Sequence, residues 1–306
     1  MTRHPSGLMR MAADVERALI RSQPVVALES SVIAHGLPPH IGPAAAREAQ
    51  ERVRAHGAVP ATIAIIDGIV KVGLEDGDID RLAIEDDVRK VGGRDLATCA
   101  VSGRCGATTV AGTLAVCAMA GIHFMSTGGI GGVHRGWERT LDISADLTEL
   151  GRTEVCVVCS GAKSLLDIPA TLEMLETRGV PVIGYRTSTL PLFYVAQSRF
   201  DLVDRADDAE TIAAASAAHW GFARRTGILV VQSVSEEVAL AADDTEALIE
   251  DALAEADAAG VRGPAVTPFV LGRLHEASLG TSLVANRRLL VDNAGLAAEI
   301  AAAYFA

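Results

Sequence analysis

Lys163 stands in the run Ser160-Gly161-Ala162-Lys163-Ser164, directly after the apolar stretch Val155 to Cys159. Lysine is ordinarily a solvated surface residue. Here it is a lone cation among small residues, at the end of what reads as a buried strand. That is the sheet edge at which α/β proteins bind ligands. An ammonium taken out of water gives up its proton more readily. The neutral amine can then attack a carbonyl-type carbon and form a Schiff base. A plainer role also fits, in which the lysine caps a helix or bonds loop carbonyls. Glu29 ends another apolar run, Val25 to Leu28, and is followed by Ser30 and Ser31. A carboxylate so placed can move protons as a general acid or base, or it can simply anchor the loop.

A second cluster lies between these two. Thr127-Gly128-Gly129-Ile130-Gly131-Gly132-Val133-His134-Arg135-Gly136 follows a short apolar run. Glycines let backbone N–H groups converge on an anion, and His134 and Arg135 can add charge-assisted bonds to phosphate. The run is neither a Walker loop nor G-x-G-x-x-G, and a flexible turn is the alternative. Asp142-Ile143-Ser144-Ala145-Asp146 comes next. Two carboxylates four apart at a helix start would share a face. One could hold a hard divalent cation with waters completing its shell. Ser144 or Asp142 could equally be an N-cap that needs no metal. Lys90 and Arg94, beside Gly92-Gly93, group positive charge that suits phosphate or a solvated loop. Asn286, in a mainly apolar C-terminal region, suits a base or sugar edge or a cap.

These residues need a scaffold. The first strand is expected at Pro24–Leu28. Pro43 and Gly57 bracket a helix, Ala44–His56. Asp67-Gly68 between Ala61–Ile66 and Ile69–Val72 signals a hairpin, so the sheet is expected to be mixed. A short acidic helix is expected within Gly77–Asp87, and an alanine-rich helix near Thr108–Ala120. A strand at Ile122–Met125, a helix over Asp142–Leu150, a strand at Val155–Cys159 and a helix at Pro169–Arg178 follow. Further strands are expected at Val180–Tyr185, Gly227–Val231 and Leu289–Val291, the last within an otherwise helical C-terminal region. Strands alternating with helices imply a three-layer α/β/α sandwich. With no repeat or linker in view, one domain over residues 1–306 is expected, residues 1–22 forming an N-terminal helical extension.

The chain has 306 residues, 49% of them hydrophobic and only 4% aromatic, so its core must be built from Ala, Val, Leu and Ile. A net charge of −12 argues against nucleic-acid binding. It leaves room for an anionic substrate in a locally basic pocket. The five cysteines, Cys99, Cys105, Cys117, Cys156 and Cys159, are expected to be free thiols in a reducing cytoplasm. Cys156 and Cys159 spell C-x-x-C, but three residues apart on a strand they face opposite sides. No signal peptide and no membrane span are apparent.

Taken together, several motifs resemble the pseudouridine-5′-phosphate glycosidases. They are Leu28-Glu29-Ser30-Ser31, Gly57-Ala58-Val59-Pro60-Ala61-Thr62-Ile63-Ala64, Gly106-Ala107-Thr108-Thr109-Val110, Thr127 to Gly136, Asp142 to Leu147, and Gly161-Ala162-Lys163-Ser164. The resemblance runs from about residue 24 to the C-terminus. Ser31 departs from the threonine usual in the family, and Gly92-Gly93 from a more polar pair. The resemblance implies reversible cleavage of pseudouridine 5′-phosphate to uracil and ribose 5-phosphate. The bond broken is C–C, and carbon is too poor a leaving group for the usual two-carboxylate glycosidase route. By resemblance, Lys163 is the nucleophile at C1′ and Glu29 carries protons. Asp142 is the ligand of a Mn²⁺ ion. Lys90, Val110, Ser144, Ala145, Asp146 and Asn286 contact substrate, with Thr127 and His134 from the glycine-rich loop. A homotrimer is implied as well. The alternatives are a phosphosugar kinase, which would need a Gly-Ala-Gly-Asp anion hole that the chain lacks, and a non-catalytic phosphosugar-binding protein. Retention of Glu29, Lys163 and Asp142 together argues against the latter.

Overall fold

The computed structural model describes residues 7–278 and 280–306. Its strands are β1 (Met9–Met11), β2 (Val25–Leu28), β3 (Val59–Ile66), β4 (Ile69–Val72), β5 (Arg89–Val91), β6 (Gly106–Thr108), β7 (Phe124–Ser126), β8 (Cys156–Cys159), β9 (Val182–Tyr185), β10 (Asp204–Ala206) and β11 (Ile228–Gln232). They form one sheet in the order β1-β4-β3-β2-β7-β8-β11-β9-β10, with β6 and β5 branching from β3. All pairs from β2 through β10 in that order are parallel, while β3 pairs antiparallel with β4 and β6. The sheet is therefore mixed, as the hairpin signal implied, and Asp67 and Gly68 both take the positive φ of its tight turn.

The strands are apolar on both faces because helices cover both. In β2, Val25 and Ala27 face one core cluster while Val26 and Leu28 face the other; β8 and β11 alternate in the same way. On one side lie the helices Ala13–Ile20, Val110–Ala120, Ala145–Leu150 and Ile168–Thr177. On the other lie Gly42–Ala55, Ala209–Gly221 and the 25-residue C-terminal helix Thr281–Phe305. The three-layer α/β/α sandwich follows from that alternation. Cys156 and Cys159 fall in opposite clusters. Burial pushes each thiol up to about 12, so the C-x-x-C spacing makes no redox pair.

Several expectations change. Leu289–Val291 is not a strand but part of the C-terminal helix. A short apolar run is ambiguous by itself; here the buried series Ala285, Leu289, Asn293, Ala297 and Ala301 repeats every four residues and decides for helix. The N-terminal extension is not wholly helical, since Met9–Met11 add a strand to β4 before the helix begins; residues 1–6 of that expectation lie outside the described residues. The helix expected over Asp142–Leu150 begins only at Ala145, with Ser144 as its N-cap. Asp142 and Asp146 therefore do not share a helical face.

One irregularity in the sheet creates the crevice. The first half of β3 pairs with β2, but Ala64 and Ile65 pair with β6 on that side instead. The splice is made by hydroxyls. Ser30 and Thr108 each donate to the Ile63 carbonyl at 2.6 Å, and Ser30 accepts the Thr108 N–H at 2.9 Å. Glu29 leaves the sheet where β3 changes partners.

Candidate active site

Three carboxyl-terminal strand ends and the middle of β5 meet at this crevice. The end of β2 supplies Glu29 and Ser31, β5 supplies Lys90, β7 leads into Thr127, and β8 leads into Lys163. Ser31 and Thr127 each donate a hydroxyl hydrogen bond to one of the two carboxylate oxygens of Glu29. The carboxylate is thereby fixed in orientation. Lys163 follows Gly161, which has φ +79° and whose Cα hydrogen lies so close to Pro191 that a Cβ would sit 1.8 Å from the Pro191 carbonyl oxygen. Only glycine makes that turn, and the turn directs the lysine into the crevice. The Lys163 N–H donates to Ile130 O at 3.1 Å, stitching the lysine segment to the glycine-rich loop.

Five of that loop's N–H groups are bonded within the protein. Thr127 N bonds Val158 O, Ile130 N bonds Gly161 O, and His134 N bonds Asp142 O, all at 3.0 Å. Gly131 N donates to Asp146 Oδ2 at 2.8 Å and Val133 N to Thr171 Oγ1 at 3.0 Å. The glycines are needed for close packing. A Cβ would lie 2.5 Å from the Ser144 hydroxyl at Gly131 and 2.4 Å from that of Thr171 at Gly132. Arg135 also leaves the expected position, pairing with Glu246 at 2.8 Å and donating to Ser164 O at 3.3 Å. It ties the helix Ala242–Ala258 to the lysine loop and lies outside the lining of the crevice.

The crevice contains a cavity of about 430 Å³ lined by Glu29, Lys90, Val110, His134, Asp142, Ser144, Ala145, Asp146 and Lys163. A smaller, adjoining recess of about 60 Å³ shares Glu29, Lys90 and Lys163 and adds Asn286, Phe193 and His35. The site residues expected from sequence thus converge here, with Thr127 behind Glu29. Val110 is the first residue of the helix Val110–Ala120, whose N-cap Thr109 also lines the larger cavity. Asp146 is 6% exposed, and its oxygens accept the N–H groups of Ala111 and Gly131 at 2.8 Å each. It bolts the alanine-rich helix to the glycine loop, which sets the cavity wall.

The electrostatics are concentrated. Burial, reinforced by the charge of Lys163, lowers Lys90 from its ordinary value, while Glu29 and Asp146 oppose the shift. Burial likewise lowers His134, opposed by Asp142 and assisted by Lys163 and Lys90. A dianion entering this cavity would oppose the downward shift of Lys90. Among the described residues, no three His, Cys, Asp or Glu side chains gather as a metal cage. Asp142 lines the cavity, and no described side chain or backbone group donates to its carboxylate. One free carboxylate facing a roomy polar cavity fits a hard cation that keeps most of its waters.

Phe193 and Thr267 were missed by sequence reasoning. Thr267, on the helix Val266–Ala277, touches both cavities, and Phe193 sits in an irregular loop with φ +60°. Neither position carries a periodic or motif signal.

A hydroxyl-held glutamate and two lysines, Lys90 and Lys163, facing one cavity at the carboxyl edge of an α/β/α sandwich, mark an enzyme that handles a small molecule. The chain belongs to the family described as indigoidine synthase A like protein, whose model matches residues 14–303. It is 50% identical to the pseudouridine-5′-phosphate glycosidase of Herpetosiphon aurantiacus, over 96% of this chain and 97% of that one. It is 48% identical to the protein of the same name from Escherichia coli, over 97% and 96%. Among solved structures it resembles the prealnumycin C-glycosynthase AlnA in complex with ribulose 5-phosphate, with TM-score 0.89, 41% identity and 98% coverage of both chains. It also resembles an indigoidine synthase A-like protein from Thermotoga maritima, with TM-score 0.89, 33% identity and 98% coverage of both chains.

Proposed function

We propose that this chain is an enzyme that cleaves the C–C glycosidic bond of pseudouridine 5′-phosphate reversibly, giving uracil and ribose 5-phosphate. The observation that carries the reading is the meeting of Glu29, Lys163 and Lys90 in one cavity, in a chain about half identical to proteins named for that activity. Release of uracil from pseudouridine 5′-phosphate, followed by chromatography, tests it; no release at any enzyme concentration would refute it.

The side chains support a balanced cycle. Glu29, ionised and held by Ser31 and Thr127, takes a proton from the Lys163 ammonium. The freed amine attacks C1′ while the C1′–O4′ bond breaks, and Glu29 returns the proton to O4′. The new secondary ammonium gives a proton back to Glu29, which delivers it to uracil C5. The C1′–C5 pair stays with uracil, and the nitrogen lone pair forms the C=N bond. Water then adds to the iminium and releases ribose 5-phosphate, restoring the lysine ammonium. The nitrogen lone pair thus fills the electron deficit left at C1′, while protonation lets uracil C5 depart with the bonding pair. Run backwards, the same steps form a C-glycosidic bond, which suits the likeness to a C-glycosynthase.

The phosphate is assigned to the larger cavity, near Lys90 and the N-terminal residue Val110, with Ser144 and Ala145 opposite. Asn286 in the adjoining recess is assigned to the uracil. Lys90→Ala is expected to narrow the gap between pseudouridine 5′-phosphate and unphosphorylated pseudouridine, because it weakens only the former. Binding energy remote from the reacting bond can appear in turnover as well as affinity, so kcat/KM is measured for both substrates in both enzymes. An unchanged ratio would place Lys90 elsewhere in the chemistry.

Asp142 would hold Mn²⁺, with waters filling most of its shell. When bound, the cation supplies positive charge that stabilises oxygen anions near it. Chelation should inhibit the wild-type enzyme and added Mn²⁺ should restore it, whereas Asp142→Ala should need far more metal or stay inactive. Full activity of a metal-stripped enzyme would return Asp142 to a structural role. A reducing cytoplasmic setting, which suits five free cysteines, and a homotrimer, which rests on the family resemblance, complete the proposal. No helix among the described residues is long and apolar enough to cross a membrane.

A further inference from the structure

Asn293 is wholly buried on the C-terminal helix, on a face otherwise made of Leu289, Leu290, Ala294 and Ala297. A polar side chain in such surroundings is tolerated only when its bonds are made. Its Nδ2 donates to Thr127 O at 2.9 Å and to Ser160 Oγ at 3.2 Å, and its Oδ1 accepts from Gln232 Nε2 at 2.8 Å. One amide therefore joins the ends of β7, β8 and β11 to a helix from the other layer. Thr127 is the residue whose hydroxyl holds Glu29, and Ser160 begins the turn that aims Lys163.

We infer that Asn293 is a positioning residue for the reaction: by fixing the backbone of Thr127 it fixes the direction from which the Thr127 hydroxyl holds the Glu29 carboxylate. It touches neither the cavity nor, on this geometry, any reacting atom. The inference rests on the reading of Glu29 as proton carrier. A misplacement of about 1 Å in a proton-transfer group can cost on the order of a hundredfold in rate. A backbone anchor two bonds from such a group is therefore expected to show in kcat.

The test is a double-mutant cycle of Asn293→Ala and Thr127→Val, assayed with pseudouridine 5′-phosphate and paired with amide hydrogen exchange. Asn293→Ala should lower kcat roughly tenfold or more with a much smaller change in KM. In the Thr127→Val background it should cost less than about twofold, since the hydroxyl it positions is gone. Ser216→Ala, which removes a buried hydroxyl bonded to Ile212 O within the helix Ala209–Gly221 and outside the cavity lining, is the stability control and should leave kcat unchanged. Exchange at residues 127–131 should quicken in Asn293→Ala and not in the control. Should Asn293→Ala fail to fold, Gln232→Met removes only the bond that orients the amide, and should show the same coupling at smaller size. Independent, multiplicative losses in kcat would overturn the inference, as would unchanged exchange at residues 127–131. If wild-type protein released no uracil, the proposed function would fail by itself, and the exchange arm would still decide whether Asn293 anchors this segment.

Discussion

Lys163→Ala is expected to fold as the parent does and to lose turnover by several orders of magnitude. The side chain makes no hydrogen bond that the fold depends on; the segment is held by backbone bonds, Lys163 N to Ile130 O and Leu166 N to Lys163 O, both at 3.1 Å. Truncation leaves these intact and removes the only group in the cycle that forms a covalent bond with substrate. The loss of a covalent catalyst cannot be made good by binding alone. Incubation of the wild type with ribose 5-phosphate and borohydride should add one reduced adduct per chain, mapped by peptide mass to Lys163. Lys90 is the internal control, since it lines the same cavity. An adduct on Lys90, or on any lysine other than Lys163, would overturn the assignment.

Glu29→Gln should be the next most damaging change, with a loss of about 10²–10⁴-fold in kcat, the usual worth of a positioned proton-transfer group. The amide keeps the shape and can still accept from one of Ser31 and Thr127, but it presents a donor to the other hydroxyl and carries no mobile proton. Circular dichroism and melting should show a folded protein. The variant should still be labelled slowly by borohydride with ribose 5-phosphate, because that aldehyde needs no ring-oxygen protonation by Glu29 once the sugar has opened in solution. Near-normal uracil release by Glu29→Gln would mean that another group moves the proton.

Much of this site was legible in the chain because its chemistry-bearing residues follow strand ends. A short apolar run closed by Glu29 or by the Gly161-Ala162-Lys163 turn gives both an element and an orientation. The alternation of core faces in β2 and β8 then follows from strand geometry. What escaped notice lacks such punctuation. The strands β1, β6 and β10 are three residues each and carry no apolar run long enough to register. Leu289–Val291 carried one but belongs to a helix, because tertiary packing of its four-residue repeat outweighs local β preference. In the glycine-rich loop the structure adds a packing role that spacing did not reveal. Its glycines at 131 and 132 admit neighbouring side chains, and five of its N–H groups, those of Thr127, Ile130, Gly131, Val133 and His134, bond within the protein. Sequence spacing gives what a segment permits; which partner takes each N–H is a property of the assembled fold.

Glu29 and Lys163 extend from β2 and β8, and a single strand, β7, lies between them. Parallel neighbours stand about 4.8 Å apart, so the two backbones are spaced by roughly 10 Å. That interval is a ruler built into the sheet. The two side chains together can span it, as direct proton transfer from Lys163 to Glu29 requires. It is wide enough for a five-carbon sugar phosphate to lie between them with C1′ toward one and O4′ toward the other. Because the spacing is set by backbone bonds, those of the sheet and that of Lys163 N to Ile130 O, substitutions lining the cavity can alter which sugar or base is accepted while the proposed acid/base and nucleophile keep their separation. The same frame can therefore serve related C-glycosidic substrates without rebuilding its reactive pair.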